Sequence, residues 1–213
     1  MRKLVLVFVV LALVLAAADV AAKKAAEGQI AKKAASSSGP DATGSASISS
    51  FPFVGRLLAA GSVPDIDVRV NRAVAGGITL AWVEVDLRGV HLDKQRFLSD
   101  RKAEITRISS GTLTVALDSA AMSAIAKTSV QVANGQIEIT IAGRTVQATP
   151  SVDGHGELRL QIDPLPSFPL RLPTSSMVPC SATRVQVEGG VVKLMCSFSQ
   201  VPPALLRAAQ RAA

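Results

Sequence analysis

The stretch ITLAWVEVDLRGV, residues 78–90, decides how this chain folds. Its second half alternates apolar with charged side chains, and a period of two places the apolar ones on one face of a strand and the charged ones on the other. We therefore predict a long strand over residues 78–90 whose apolar face is buried and whose charged face is in water. The inward residues are Val83, Val85 and Leu87, and the outward ones are Glu84, Asp86 and Arg88.

C-terminal to this strand the same alternation continues. Residues 103–117 are predicted to form a strand that is broken around residues 109–111. Asp118 is a good helix N-cap, so a short helix is predicted over residues 120–126, with Met122 and Ile125 on one face. The remaining predicted elements are a meander over residues 130–162 with turns at Asn134-Gly135 and Asp153-Gly154, an extended Pro-rich connection over residues 164–173, a hairpin over residues 183–195 turning at Gly189-Gly190, and a terminal helix over residues 204–212.

On the N-terminal side, Pro52 precedes an apolar stretch with helical spacing that stops at Gly61. Proline at the start and glycine just past the end are typical of a short helix, which presents Phe53, Leu57 and Leu58. Strands with one buried face and few short helices predict an α+β fold, a strongly twisted antiparallel sheet cupped around the helices.

Residues 1–18 have the pattern of an export signal. Arg2 and Lys3 precede the apolar run 4–15, and three alanines then provide a small-residue cleavage site. The run is shorter than a preferred membrane span, yet it could also serve as an uncleaved N-terminal anchor. Either alternative places the rest of the chain outside the cytoplasm, in a periplasmic or cell-envelope space.

Residues 19–35 are Ala-rich and basic, and they predict a helix that either attracts anionic lipid headgroups at a membrane surface or is a solvated spacer. Residues 36–47 are rich in Ser and Gly and predict a flexible linker. The folded domain is then expected over residues 48–213, with residues 19–47 dispensable for folding.

Composition excludes several classes of function. Lys and Arg total 23 against 16 Asp and Glu, a formal charge of +7, but no basic run lies within the predicted domain and aromatic residues are only 3%. A nucleic-acid partner is therefore not expected. Two His and two Cys without metal-ligand spacing argue against a metal site, and no cofactor is expected. Because nucleophile-elbow and phosphate-loop motifs are missing, the chain is not predicted to be an enzyme, and His91 and His155 are interpreted as surface residues.

Cys180 and Cys196 flank the last predicted hairpin. Antiparallel pairing brings their neighbourhoods together, and an exported protein meets an oxidising compartment. We predict a disulfide between them.

The apolar faces allow two interpretations. One is an ordinary solid core, and the other is an apolar cavity that holds acyl chains. If the sheet cups around the helix after Pro52, the cavity is lined by residues from that helix, the long strand and the second short helix. These candidate lipid-binding residues are Phe53, Leu57, Leu58, Val83, Val85, Leu87, Met122 and Ile125.

Three stretches carry a family resemblance: ISSFPFVGRLL at residues 48–58, the strand at 78–90, and the hairpin over residues 180–201. They resemble the LmeA-like phospholipid-binding domain, an actinobacterial cell-envelope family of the tubular lipid-binding (TULIP) superfamily. Ser50 and the length of the predicted linker depart from the family pattern. The resemblance implies a TULIP-like sheet with an apolar cavity, and phospholipid binding or transfer.

The leading hypothesis is thus an exported cell-envelope protein that binds a phospholipid or lipid-linked molecule without catalysis. A wider version of this hypothesis adds transfer of the lipid. The alternative is a non-enzymatic envelope interaction module with a solid core and no ligand. A third and weaker hypothesis is an exported hydrolase.

Overall fold

The computed structural model describes residues 2–92, 105–133, 135–153, 156–162 and 183–199, with side chains from residue 14 onward. The fold is α+β, as predicted from the sequence. The helices are α1 (Arg2–Ser38), α2 (Phe53–Ala60) and α3 (Ser119–Ala126). The strands are β1 (Thr43–Ile48), β2 (Ser62–Asn71), β3 (Val74–Ala75), β4 (Ile78–Thr79), β5 (Trp82–Leu92), β6 (Ile105–Leu117), β7 (Val130–Ala133), β8 (Gln136–Ile141), β9 (Arg144–Val152), β10 (Leu158–Ile162), β11 (Arg184–Glu188) and β12 (Val191–Phe198).

The strands form a large antiparallel sheet and two smaller ones. The large sheet has six strands in the order β1-β2-β5-β6-β12-β11, and a second sheet has four strands in the order β10-β9-β8-β7. A short ladder pairs β3 with β4. The predicted meander is thus confirmed as the four-stranded sheet, and the predicted last hairpin is confirmed as β11 and β12.

Both short helices form where capping residues predicted them. Helix α2 follows Pro52 and ends at Gly61, whose left-handed backbone (φ 61°) lets its N–H donate to the Leu57 carbonyl at 2.9 Å. Helix α3 is capped by Asp118, whose Oδ1 accepts from the N–H of Ala121 at 2.8 Å.

Two strand boundaries differ from the sequence predictions. The stretch 78–90 is divided, because Leu80 N–H donates to the Ala73 carbonyl at 2.8 Å and Ala81 N–H to the Ala116 carbonyl at 3.0 Å, so the long strand starts only at Trp82. The predicted break at residues 109–111 is wrong, since β6 runs unbroken and Gly111 pairs with both β5 and β12. The glycine is needed for close approach there: a Cβ at Gly111 would collide with the ring of Phe198.

The expected flexible linker also differs from the structure. Helix α1 continues to Ser38, and the hydroxyls of Ser36, Ser37 and Ser38 donate to carbonyls one turn earlier. Strand β1 then pairs with β2 along its whole length. Residues 36–47 therefore contribute the end of a helix and an edge strand, because their backbone groups have partners in the sheet. The division of the chain into domains stays a prediction.

Two apolar clusters form the interior. The larger cluster joins the six-stranded sheet to the four-stranded sheet and α3, with Leu117, Met122 and Ile137 at most 1% exposed. The smaller cluster consists of Ile48, Phe53, Leu57 and Val63.

In the part of the chain described here, no helix combines the length and the apolar character needed to cross a membrane. The predicted Pro-rich connection, the terminal helix, Cys180, Asn134 and His155 lie outside the described residues.

Candidate functional site

One face of the six-stranded sheet carries an apolar surface that is only partly covered. Neighbouring strands place like residues opposite one another, so that Val68, Val85 and Leu113 form one row and Val70, Val83 and Val115 the next. We call this side the inner face. Six of its apolar residues are half-buried and are here named the apolar band: Ile66, Val68, Val83, Val85, Leu87 and Phe198.

The apolar band lies between the two interior clusters. Ile66 packs against the smaller cluster, whereas Val68, the next inward position on β2, packs against the larger one. Val83, Val85 and Phe198 also contact the larger cluster, and Leu87 belongs to neither. A continuous apolar strip with partial exposure is the kind of surface that an alkyl chain can cover.

Helix α1 crosses this face beside β1. Ala22, Ala26 and Ile30 pack against the smaller cluster and Ala34 against the larger, so the helix spans both. The helix approaches β1 so closely that a Cβ at Gly44 would collide with the carbonyl of Ala31. Helix α1 therefore covers the β1 side of the inner face.

Two buried carboxylates hold α1 in place. Asp19, 7% exposed, accepts hydrogen bonds from the N–H groups of Phe53 at 2.7 Å and Val54 at 2.6 Å, at the start of α2. Helix α2 has no side-chain cap of its own, so Asp19 supplies the missing acceptor from a distant part of the chain.

Glu27, 5% exposed, makes the second of these contacts, accepting from the N–H of Ile48 at 2.9 Å and from Lys24 at 2.8 Å. Burial raises the pKa of Glu27, but the hydrogen bonds from Lys24 and Ile48 and the charges of Lys24 and Lys23 outweigh burial and bring the pKa below its ordinary value. Glu27 is thus ionised and bonded at neutral pH.

The structure separates the candidate lipid-binding residues. Val83, Val85 and Leu87 share the apolar band. Phe53 and Leu57 are buried in the smaller cluster, and Leu58 is 51% exposed. Met122 is fully buried in the larger cluster, with Ile125 half-buried at its margin. Contact of any of these residues with lipid stays a prediction.

A small apolar pocket of about 230 Å³ lies at the other end of the larger cluster. It is formed by the C-terminal end of α3 and by β8 and β10. Its lining includes Ala126, Ile139, Ile141, Leu160 and Ile162. The pocket adds a second apolar surface next to the meander, at the side where α3 ends.

Three members of the apolar band were not identified from the sequence: Ile66, Val68 and Phe198. A signal was available for the first two, because Ile66, Val68 and Val70 alternate with Asp65, Asp67 and Arg69. No comparable signal exists for Phe198, whose position over Gly111 depends on the pairing of β12 with β6.

The outer face of the same sheet is polar. Asp67 and Asp86 lie directly opposite each other on β2 and β5. Partial burial, a hydrogen bond with Asp67 and the negative charges of Asp67 and Glu84 raise the pKa of Asp86 to about 6, against a smaller lowering by Arg88. The carboxyl group of Asp86 is therefore protonated in mildly acidic solution.

Two negative findings concern chemistry. Within the described ranges no group of three or more His, Cys, Asp or Glu side chains is placed to hold a metal ion. Cys196 is 1% exposed and is not a free cysteine, and since Cys180 lies outside those ranges the disulfide between them stays a prediction.

Comparison with known proteins gives one result. A family model described as LmeA-like phospholipid-binding matches residues 17–194, which include α1 from just before Asp19 and the first half of β12. No curated protein and no solved structure gives a significant match.

Proposed function

Since this chain belongs to the LmeA-like phospholipid-binding family, we propose that it binds a phospholipid or a related lipid-linked molecule along the apolar band. The observation that carries the proposal is the match of the family model to residues 17–194, which include α1 from residue 17 onward and five of the six residues of the band, all except Phe198. The half-buried state of the band supports it, because a solid core would leave no apolar strip of this kind between its two clusters.

The energetics of such binding are favourable. Each methylene group that leaves water for an apolar surface contributes about 0.8 kcal/mol. An acyl chain laid along β5 would contact Val83, Val85 and Leu87 in succession, with Val68 and Phe198 on either side. The polar headgroup would remain in water.

The proposed activity is lipid binding without catalysis. We include in the proposal the transfer of the bound lipid between membranes. Support comes from the sequence, which has no nucleophile elbow and no phosphate-binding loop. A binder of this kind needs only an apolar surface and a means of exchanging its ligand.

We further propose that residues 1–18 direct export to the cell envelope. Asp19 begins the part of α1 that is bonded to the domain, whereas Val14 and Leu15 are 59% and 62% exposed. Cleavage after Ala18 would therefore keep Asp19 and Glu27, whose carboxylates bond α1 to α2 and β1, and an uncleaved segment would tether the domain to a membrane. In either form, the lysines of α1 favour a surface of anionic lipids.

The test is to extract the protein gently from its native host and to measure bound lipid by native mass spectrometry together with the melting temperature. Wild type should carry phospholipid. Val85→Trp should lose the lipid with little change in melting temperature, because Val85 is half-buried and the indole would occupy the place proposed for the acyl chain.

Val63→Trp is the matched control. Val63 is 2% exposed within the smaller cluster, so the same increase in volume should lower the stability by about 1–3 kcal/mol while leaving the lipid bound. Absence of lipid from the wild type, or unchanged lipid in Val85→Trp with a sharply lowered melting temperature, would show that the band is ordinary core and would favour an interaction module without a ligand.

A further inference from the structure

The outer face of the six-stranded sheet contains an open cleft of about 480 Å³ around the single tryptophan. The cleft is lined by residues of five strands, among them Arg69, Trp82, Glu84, Glu188, Lys193 and Met195. This cleft is on the side of the sheet opposite to the apolar band, because Trp82 and Val83 are adjacent on β5 and point to opposite faces.

Two cations approach the same indole ring. The Arg69 Cζ lies 4.2 Å from the ring centroid of Trp82 and the Lys193 Nζ lies 5.9 Å from it. Ala116 on β6 pairs with Trp82 on one side and with Lys193 on the other, and it is fully buried. A small residue at this position leaves room for the indole above the sheet, where positive charge is attracted to its π-face.

Two carboxylates accompany the cations. Arg69 Nη1 is 3.5 Å from Glu84 Oε2, and Lys193 Nζ is 2.7 Å from Glu188 Oε2. The side chains of Arg69 and Glu188 are 45% and 71% exposed, so both ion pairs are in contact with water. Ion pairs exposed to water contribute little to stability and can exchange partners readily.

We propose that this cleft binds a zwitterion that carries a phosphate and an ammonium group, as in a phosphoethanolamine headgroup. The guanidinium of Arg69 and the ammonium of Lys193 would hold the phosphate oxygens. The ammonium group of the ligand would be held by Glu84 or Glu188 and by the face of Trp82.

The charge balance of the cleft distinguishes this ligand from simpler ones. Two positive and two negative side chains line the cleft, so its formal charge is zero. A simple anion would be repelled by Glu84 and Glu188, and a simple cation by Arg69 and Lys193. A zwitterion finds an opposite charge for each of its own, since its phosphate pairs with the two cations and its ammonium group with one of the carboxylates that those cations release.

Fluorescence gives a direct test, since Trp82 is the single tryptophan and the chain has no tyrosine. The full chain is titrated with glycerophosphoethanolamine, with inorganic phosphate and with ethanolamine, and calorimetry repeats each titration. Glycerophosphoethanolamine should cause a saturable change in Trp82 emission, with a Kd at least tenfold lower than that of either fragment.

Arg69→Gln and Lys193→Gln should each weaken this binding at least tenfold by calorimetry, with unchanged circular dichroism. Arg159→Gln is the control, because Arg159 lies on the other sheet, its side chain is 49% exposed against 45% for Arg69, and it forms an ion pair with Asp153 at 2.9 Å. The proposal fails if glycerophosphoethanolamine gives no saturable change, if inorganic phosphate binds equally well, or if the two cleft variants bind like wild type.

Vesicles identify the source of the ligand. Vesicles with phosphatidylethanolamine are compared with vesicles in which phosphatidylglycerol replaces it, using flotation. Arg69-dependent flotation only with phosphatidylethanolamine vesicles identifies a lipid headgroup as the ligand. Binding of soluble glycerophosphoethanolamine without flotation identifies a free small molecule. If the protein binds neither the vesicles nor the soluble compound, the proposal is wrong. Because the cleft and the apolar band are on opposite faces, loss of lipid in Val85→Trp and loss of headgroup binding in Arg69→Gln are separate results.

Discussion

Asp86 shows how partial burial, together with a like charge on Asp67 directly opposite it in the sheet, makes stability depend on pH. The folded protein raises the pKa of Asp86 to about 6 from an ordinary value of 3.8, so the folded state binds more protons than the unfolded state between these values. The stability that the raised pKa of Asp86 contributes is fully present below about pH 4 and is lost as the pH rises through about 6.

Asp86→Asn should therefore raise the melting temperature at pH 7 and should have little effect at pH 4, because the amide cannot ionise opposite Asp67. Thermal unfolding between pH 4 and pH 8 measures this. Asp65→Asn is the control, since Asp65 lies opposite Arg88 and its removal relieves no repulsion. An equal gain at pH 4 and pH 7 would mean that the charges of the pair are not the cause.

Asp19 is a single residue that joins two distant elements. Asp19→Ala would leave the first two N–H groups of α2 without an acceptor, and loss of such a cap costs about 1–2 kcal/mol. Urea unfolding of the two proteins measures the difference. Asp41→Ala should change stability by less than about 0.5 kcal/mol, because Asp41 is 76% exposed and 3.9 Å from Arg72. Equal losses in the two variants would show that Asp19 has no special role.

At the level of elements, the packing of α1 on β1 is testable with two glycines. Gly44→Ala should destabilise the protein, because the new Cβ would collide with the backbone carbonyl of Ala31 and push α1 away from β1. Gly28 lies within α1, and a Cβ added there would have no other atom within 4 Å. Gly28→Ala should therefore stabilise the protein by about 0.5–1 kcal/mol, as expected in a helix interior. Denaturant unfolding measures the free energy of unfolding of each variant, which should be lower than wild type for Gly44→Ala and higher for Gly28→Ala. A neutral Gly44→Ala would indicate that α1 is not held against β1.

Local pattern was sufficient to predict most elements. The meander and the last hairpin follow from alternation and turn residues, and α2 and α3 from their caps. The role of α1 could not be predicted in this way. Its buried side is mostly alanine, so no apolar stripe distinguishes it, and the burial of Asp19 and Glu27 depends on N–H groups that lie 21 to 35 residues further along the chain.

The candidate site was predicted only in part, for a related reason. Alternation correctly assigned Val83, Val85 and Leu87 to one face, since that depends on a single strand. Whether Phe53, Leu57 and Met122 join them depends on how helices pack on a sheet. The structure places Phe53 and Leu57 in one cluster and Met122 in another.

For the whole molecule, the predicted disulfide between Cys180 and Cys196 closes a loop of about 15 residues, which is worth roughly 3 kcal/mol in the chain-entropy model. Reductant should lower the free energy of unfolding by about that amount in the wild type and should have no effect in Cys180→Ser. The check is a thiol assay on denatured protein that was never reduced. Detection of two free thiols per chain would contradict the prediction.

The strand order of the large sheet also has a consequence for the timing of folding. Strands β1 and β2 come from the first third of the chain, yet β12 pairs with β6 and completes the sheet only after the whole meander has been made. Pairing between such distant segments is slow. A nascent chain still lacking residues 184–198 exposes the edge of β6, so the large sheet cannot be completed, and this edge stays open to incorrect pairing, until these residues have been made.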